Sequence, residues 1–143
     1  MDRLTLVWPV VVKVRVTEEY KKRLSAEIQQ AVRQLDLQMQ HFEFRARRLV
    51  AELEKQNPQG IPAARQQLEQ ERGRLLEARQ KLVERLKEVG RLSPGEEVIH
   101  GQVQALMELR VGDCWQDLSG WEIVLEDNVV REIRRAERDA SGG

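Results

Sequence analysis

Residues 28–53, IQQAVRQLDLQMQHFEFRARRLVAEL, and residues 68–89, LEQERGRLLEARQKLVERLKEV, decide the fold. In the first stretch Ile28, Leu35, Phe42 and Leu49 recur at heptad spacing, and in the second Leu68, Leu75, Leu82 and Val89 do the same. Folding the chain back on itself sets Ile28 against Val89, Leu35 against Leu82, Phe42 against Leu75 and Leu49 against Leu68. The position numbers of every pair add to the same total, so one register buries both stripes at once. A second series follows suit, pairing Ala31 with Leu86, Met39 with Ala78 and Leu53 with Ala64, with one gap where Ala46 would face Glu71. The fold-back point falls between Pro58 and Gln59, inside Asn57-Pro58-Gln59-Gly60-Ile61-Pro62, a turn by composition. The pattern predicts an antiparallel coiled-coil helical hairpin. Val32, Phe44, Val50, Leu76 and Val83 flank the stripes and leave room for further bundling.

Thr17-Glu18-Glu19-Tyr20 opens the first helix, with Thr17 as cap and two glutamates at the positive helix end. No Gly or Pro follows until Pro58, so this helix is expected over 17–56. The second is expected over 63–91, weakened at Gly73 and ended by Gly90 and Ser93-Pro94-Gly95. The first is then the longer by about 11 residues, roughly 16 Å, and its start, Tyr20 to Ser25, needs a partner outside the hairpin.

Residues 4–16, LTLVWPVVVKVRV, alternate: Leu4, Leu6, Trp8, Val10, Val12, Val14 and Val16 share one parity, while Lys13 and Arg15 take the other. Pro9 cannot donate to a ladder, which predicts an edge strand or a bend there. Val103, Ala105, Met107, Leu109 and Val111 alternate in the same way, Trp121 to Glu126 reads as a strand, and Val129 to Ile133 returns after the turn pair Asp127-Asn128. About four strands are expected, with Trp8, Trp115 and Trp121 as the large pieces of their core.

Charged residues make up 34% of the 143 and aromatics 4%, the balance of a chain with one long solvated element. Residues 1–92 hold 19 Lys/Arg against 13 Asp/Glu, and residues 93–143 hold 5 against 11, so a net charge of zero hides a basic part and an acidic part. One cysteine, Cys114, excludes an intrachain disulfide and suits a reducing, cytoplasmic setting. The early apolar run is interrupted by Pro9 and lacks a small-residue cleavage site, so no signal peptide is expected, and nothing approaches the ~18 apolar residues of a membrane span.

Candidate chemistry is sparse. His100, Cys114 and Asp117 could be assembled into a nucleophile set, but no spacing supports it, and a lone Cys is commonly a small hydrophobe. There is no CxxC or HxxxH spacing for a metal and no glycine-rich phosphate loop, so catalytic, metal and cofactor-binding residues are all expected to be none. Glu96-Glu97 and Asp113 with Asp117 read as ordinary surface carboxylates. A basic surface is the one interaction feature: Arg45, Arg47 and Arg48 cluster on the first helix, and Arg72 and Arg79 are added by the second. Interleaved glutamates favour a salt-bridged helical surface over a phosphate-binding stripe, and few aromatics are present for base stacking.

The start VVVKVRVTEEYKKRL, the Gln/Arg/Glu-rich middle and the end ALMELRVGDCWQDLSGWEIVLEDNVVREIR together resemble the YlqD-like family of small uncharacterised bacterial proteins. Val111-Gly112-Asp113 followed by Trp115 is the most specific piece, and Glu126-Asp127-Asn128 and Arg131-Glu132-Ile133-Arg134 add to it. This chain has Asp-Asn where the family favours Asp-Gly. The resemblance implies this layout and carries no activity, cofactor or catalytic residue.

The expected fold is α+β. A small β-sheet or barrel module is formed by residues 1–16 and 93–134, a hairpin over 17–92 is inserted between them with its turn at 57–62, and 135–143 form a flexible tail. The expected function is that of a non-catalytic scaffold or interaction protein with a protein partner or a second copy of itself, as a homo-oligomer. A nucleic-acid- or ribosome-associated factor using the basic stripe is the alternative.

Overall fold

The computed structural model describes residues 1–136. The chain divides into two units, one formed by Met1–Tyr20 with the chain from Leu92 onward, the other by Lys21–Arg91. It is α+β, as the patterns predict.

The helical unit consists of α1 (Glu18–Gln56, from Lys21 on) and α2 (Ile61–Arg91), joined through a single 3-10 turn, Pro58–Gly60. Helix α2 therefore starts two residues before the expected 63, because Pro62 sits comfortably in a first turn, where its missing N–H would be unpaired anyway. Ile28, Leu35, Phe42 and Ala46 are buried on α1 and Val89 on α2. Ala64, Leu68, Arg72, Leu75, Arg79, Leu82 and Leu86 are half-buried at three- and four-residue spacing. Leu49, an expected seam residue, is instead 41% exposed, while Ala46 is buried. A straight α-helix drifts about 20° per heptad against a strict seven-residue repeat, so three heptads beyond Ile28 the stripe has left Leu49 and passed to Ala46 and Leu53. Ion pairs clasp the two helices: Arg72 to Glu43 at 2.5 and 3.1 Å, and Arg79 Nε to Asp36 Oδ1 at 2.8 Å. Lys21 Nζ reaches Gly90 O at 3.3 Å, so α1 finds a partner in α2 as early as Lys21.

The β unit is a four-stranded sheet in the order β2-β1-β3-β4, comprising β1 (Arg3–Arg15), β2 (Glu97–Arg110), β3 (Trp121–Glu126) and β4 (Val129–Arg135). Strand β2 begins six residues before the alternation from Val103 announces it. His100 is a bulge residue there, left over between the pairs Val12–Gly101 and Lys13–Ile99, and it interrupts the period. The closing turn places Asp127 and Asn128 at φ +50° and +65°, the left-handed conformation that Asx residues tolerate best. Thr17 accepts the Tyr20 N–H at 3.0 Å as the cap of α1 and donates its hydroxyl to Asp127 at 2.7 Å. Of the expected tail, Arg135 belongs to β4; residues 137–143 lie outside the described part.

Strand β1 is central, not an edge, yet Pro9 does no harm. Val16 N–H bonds to Glu96 O, and Asp2 O accepts from Val111 N–H, so even-numbered β1 residues bond towards β2 and odd-numbered ones away from it. The parallel pairing with β3 covers only Val11 to Val14. The Pro9 nitrogen therefore faces an edge that is open at its level, where no ladder bond is lost.

The parity of β1 also sorts the faces. Val10, Val12, Val14 and Val16 are buried on one face. The tryptophans are not the core expected of them. Trp115 is 60% exposed, Trp8 and Trp121 are half-buried, and Trp8 meets Trp115 edge-to-face at 5.7 Å. Trp8 lies beyond the stretch of β1 that β3 flanks, on a two-stranded ribbon with β2, where valines nearer the centre and Leu118 fill the interior instead.

Candidate interaction surfaces

The five arginines singled out from the sequence fall into two groups. Arg72 and Arg79 are committed to the carboxylates of Glu43 and Asp36, and Arg72 also pairs with Glu69 and lies over the Phe42 ring at 5.6 Å. The hydrogen bond from Arg72 holds the Glu43 carboxyl below its ordinary range, against a smaller opposing effect of burial. Arg45, Arg47 and Arg48 form no salt bridge among the described residues, although Arg47 donates to the Glu43 carbonyl one turn back and its charge helps to lower the Glu43 carboxyl. Nor do the five share a stripe. Arg47 and Arg72 line a groove of about 470 Å³ together with Ala46, Val50 and Leu68, whereas Arg45 lines a separate one beside Phe42 and Leu75. The helical unit holds 16 Lys/Arg against 10 Asp/Glu over residues 21–91.

Its least expected feature is apolar. Leu37 and Phe44 are 55% and 59% exposed, one heptad apart. Each follows a buried residue, Leu35 or Phe42, by two positions, which at 3.6 residues per turn is about 200° around the helix. They therefore form a pair on the side of α1 turned away from the seam.

In the β unit the other face of the sheet carries a charge lattice to which all four strands contribute. Lys13 Nζ lies 3.0 Å from Glu122, whose other oxygen accepts from Arg134 Nε at 2.8 Å. Arg134 also pairs with Glu97 and, at 3.0 Å, with Glu132; Arg15 closes the ring through Glu97 at 3.2 Å and Glu132 at 2.6 Å. Glu122 is 3% exposed, and Val124, paired laterally with Lys13 and Glu132, is fully buried. Burial pushes the Glu122 carboxyl up, but hydrogen bonds from Arg134 and Lys13 together outweigh it and leave the group below its ordinary range. Glu97 is lowered chiefly by the Arg134 hydrogen bond, against burial and with help from Arg15. Arg134 is raised by the same bonds to Glu97 and Glu122. Every member is paired, so the lattice ties strands together and offers no idle acid or base. Sequence reading missed it. Its only local signal is charge at off-parity strand positions, Lys13 and Arg15 on one strand and Glu122 on another.

His100, Cys114 and Asp117 are not brought together. His100 sits at the bulge near the start of β2 and Cys114 beyond its far end, while Asp117 pairs with Arg135 at 2.9 Å. Among the described residues no cluster of His, Cys, Asp or Glu is placed to hold a metal, and no helix is long and apolar enough to cross a membrane.

Comparison with known proteins agrees with this architecture. A crystal structure of a protein of unknown function from Synechococcus sp. WH 8102 superposes with a TM-score of 0.72 at 24% identity, covering 93% of this chain and 95% of that one, and so shares the fold. No curated protein matches the chain. The model of the family described as YlqD protein matches residues 4–134, from the second residue of β1 to the penultimate residue of β4, and the chain therefore belongs to the YlqD family.

Proposed function

We propose that this protein is a non-catalytic, cytoplasmic interaction protein whose helical hairpin docks a protein partner along the outer side of α1. One observation carries the reading: Leu37 and Phe44 form an exposed apolar pair on the side opposite the seam. Arginines without carboxylate partners stand nearby at positions 45 and 48. A partner helix with two apolar residues a heptad apart, rimmed by acidic side chains, fits such a face. The exposed free thiol of Cys114 suits a reducing compartment.

The test is affinity capture of the tagged chain from native lysate, with and without nuclease, alongside a Leu37→Gln/Phe44→Gln variant. A protein that survives nuclease and high salt, and is lost from the variant while helicity is unchanged, supports the reading. A partner retained in full by the variant refutes it. Arg45, Arg47 and Arg48, none of them held in a salt bridge among the described residues, support a second reading, a nucleic-acid-associated factor. There nuclease releases the captured material, and changing the three arginines to Gln weakens binding and flattens its salt dependence.

A further inference from the structure

We infer that the outer edge of β2 is a self-association surface, on which a second copy of this chain adds its own β2 antiparallel to make one continuous sheet. The inference is independent of the hairpin reading above, since it uses only the β unit.

The backbone supplies the first argument. Leu4 to Val16 bond towards β2 through their even-numbered members, so Gly101, Val103, Ala105, Met107 and Leu109 bond back to β1. Gln102, Gln104, Leu106 and Glu108 consequently turn their N–H and C=O groups to the open side. Among the described residues no backbone hydrogen bond outside the β1–β2 ladder involves them. The open stretch has definite ends. Beyond Glu108, the Asp113 carboxylate accepts the Arg110 N–H at 2.7 Å, and Asp113 N–H returns to Arg110 O at 3.1 Å. At the other end the His100 bulge breaks the ladder. Natural edges are commonly blunted by charge, proline or bulges, and here such devices flank the stretch and leave its middle bare.

The side chains supply the second argument and select the occupant. Leu106 is 77% exposed and its cross-strand neighbour Val7 is 60% exposed, an apolar pair on the face that elsewhere carries charge. In an antiparallel pair, outward-bonding residues must oppose one another, so Leu106 can face only Gln102, Gln104, Leu106, Glu108 or Arg110 of a second copy. Only the register with the two-fold axis at Leu106 pairs it with an apolar side chain. That register joins two Val7–Leu106 pairs into one four-residue cluster. It sets Gln104 against Glu108 and Gln102 against Arg110, with no like charges opposed, and the Glu108 carboxylate is already balanced by Arg3 and Arg110, each at 3.4 Å. On the opposite face it sets Val103, itself 45% exposed, against Leu109, and Ala105 against Met107. The edge is thus complementary to itself, which a two-fold interface requires.

Light scattering and sedimentation of the full chain at micromolar concentration test the inference, with a dimer expected at twice the 16.7 kDa chain mass. Leu106→Pro removes an outward N–H and leaves the β1 ladder whole, so it should raise the dimer dissociation constant by about 100-fold with tryptophan fluorescence unchanged. Leu106→Lys, which opposes two ammonium groups, should do the same and covers the case in which the proline variant fails to fold. Leu37→Gln/Phe44→Gln should leave the dimer intact. A wild-type monomer overturns the inference, as does a dimer that persists in a folded Leu106→Pro or Leu106→Lys chain.

Discussion

Glu122→Gln is the sharpest probe of the charge lattice, because it keeps the shape of the side chain and removes only its charge. The carboxylate is nearly sealed, with Lys13 Nζ at 3.0 Å on one oxygen and Arg134 Nε at 2.8 Å on the other. A glutamine there must turn its NH₂ towards one of two cations, donor against donor. Removing one partner of a well-buried pair costs roughly 3–5 kcal/mol. Lys13 keeps 28% of its side chain in water, and Arg134 keeps Glu97 and Glu132, so a loss of about 2 kcal/mol is expected at neutral pH. All three tryptophans, Trp8, Trp115 and Trp121, belong to the β unit, so urea unfolding followed by fluorescence reads that unit alone, whereas ellipticity at helical wavelengths follows mainly the hairpin. The folded Glu122 carboxyl titrates below its ordinary value of 4.5, so its stabilisation is complete above that value and is lost as pH falls through the lower folded one. In acid, once the pH has fallen below its lowered folded value, the wild-type side chain is itself neutral, and the gap between the two proteins should shrink to under about 0.5 kcal/mol. A gap of the same size at both pH values would show that shape, not charge, is what the substitution disturbs. A gap absent at pH 7 would show that the lattice adds no net stability.

Phe42, 3% exposed at the centre of the α1 seam, should cost about 3–5 kcal/mol when changed to Ala, read as loss of helical ellipticity in urea at unchanged tryptophan signal. Asn128→Gly should be neutral or slightly stabilising, whereas Asn128→Val, a β-branched residue at φ +65°, should lose roughly 1–3 kcal/mol in the fluorescence transition. Arg79→Ala removes a pair whose members are each 43% exposed and should change stability by no more than about 0.5 kcal/mol, a difference that thermal melts can resolve.

The hairpin and the valine-rich strand are legible in the sequence because both are periodic, and periodicity records which side of an element is dry. Leu49 misleads because the eye extends a heptad that a straight helix does not keep. Trp8, Trp115 and Trp121 mislead for a different reason: size says how much surface a side chain could bury, not where the sheet is wide enough to bury it. The lattice leaves only the off-parity charges of Lys13, Arg15 and Glu122 as a trace, and these do not say which of them meet. Glu97, Glu122 and Glu132 are ordinary glutamates until the order β2-β1-β3-β4 brings them to one face, and strand order has no local signature. Phe44 stands among the residues that the pattern leaves flanking the stripes, and Leu37 could have been found with it, since each lies two positions from a heptad core residue and so cannot share its face.

Arg15 and Glu97 join hands across 82 positions of chain, and the hairpin is what lies between them. Were those residues slack, pairing β1 with β2 would carry the entropic cost of closing a long loop, which grows by about 0.6 kcal/mol for each doubling of length. The contact from Lys21 to Gly90 brings the two ends of the insertion together first and leaves only a handful of free residues on each side. That shortening, about three doublings, is worth roughly 2 kcal/mol, or some thirtyfold in the rate of strand encounter. The hairpin thus acts as an assembly aid for a sheet it does not belong to, and helical ellipticity should recover ahead of tryptophan fluorescence when the unfolded chain is diluted from urea.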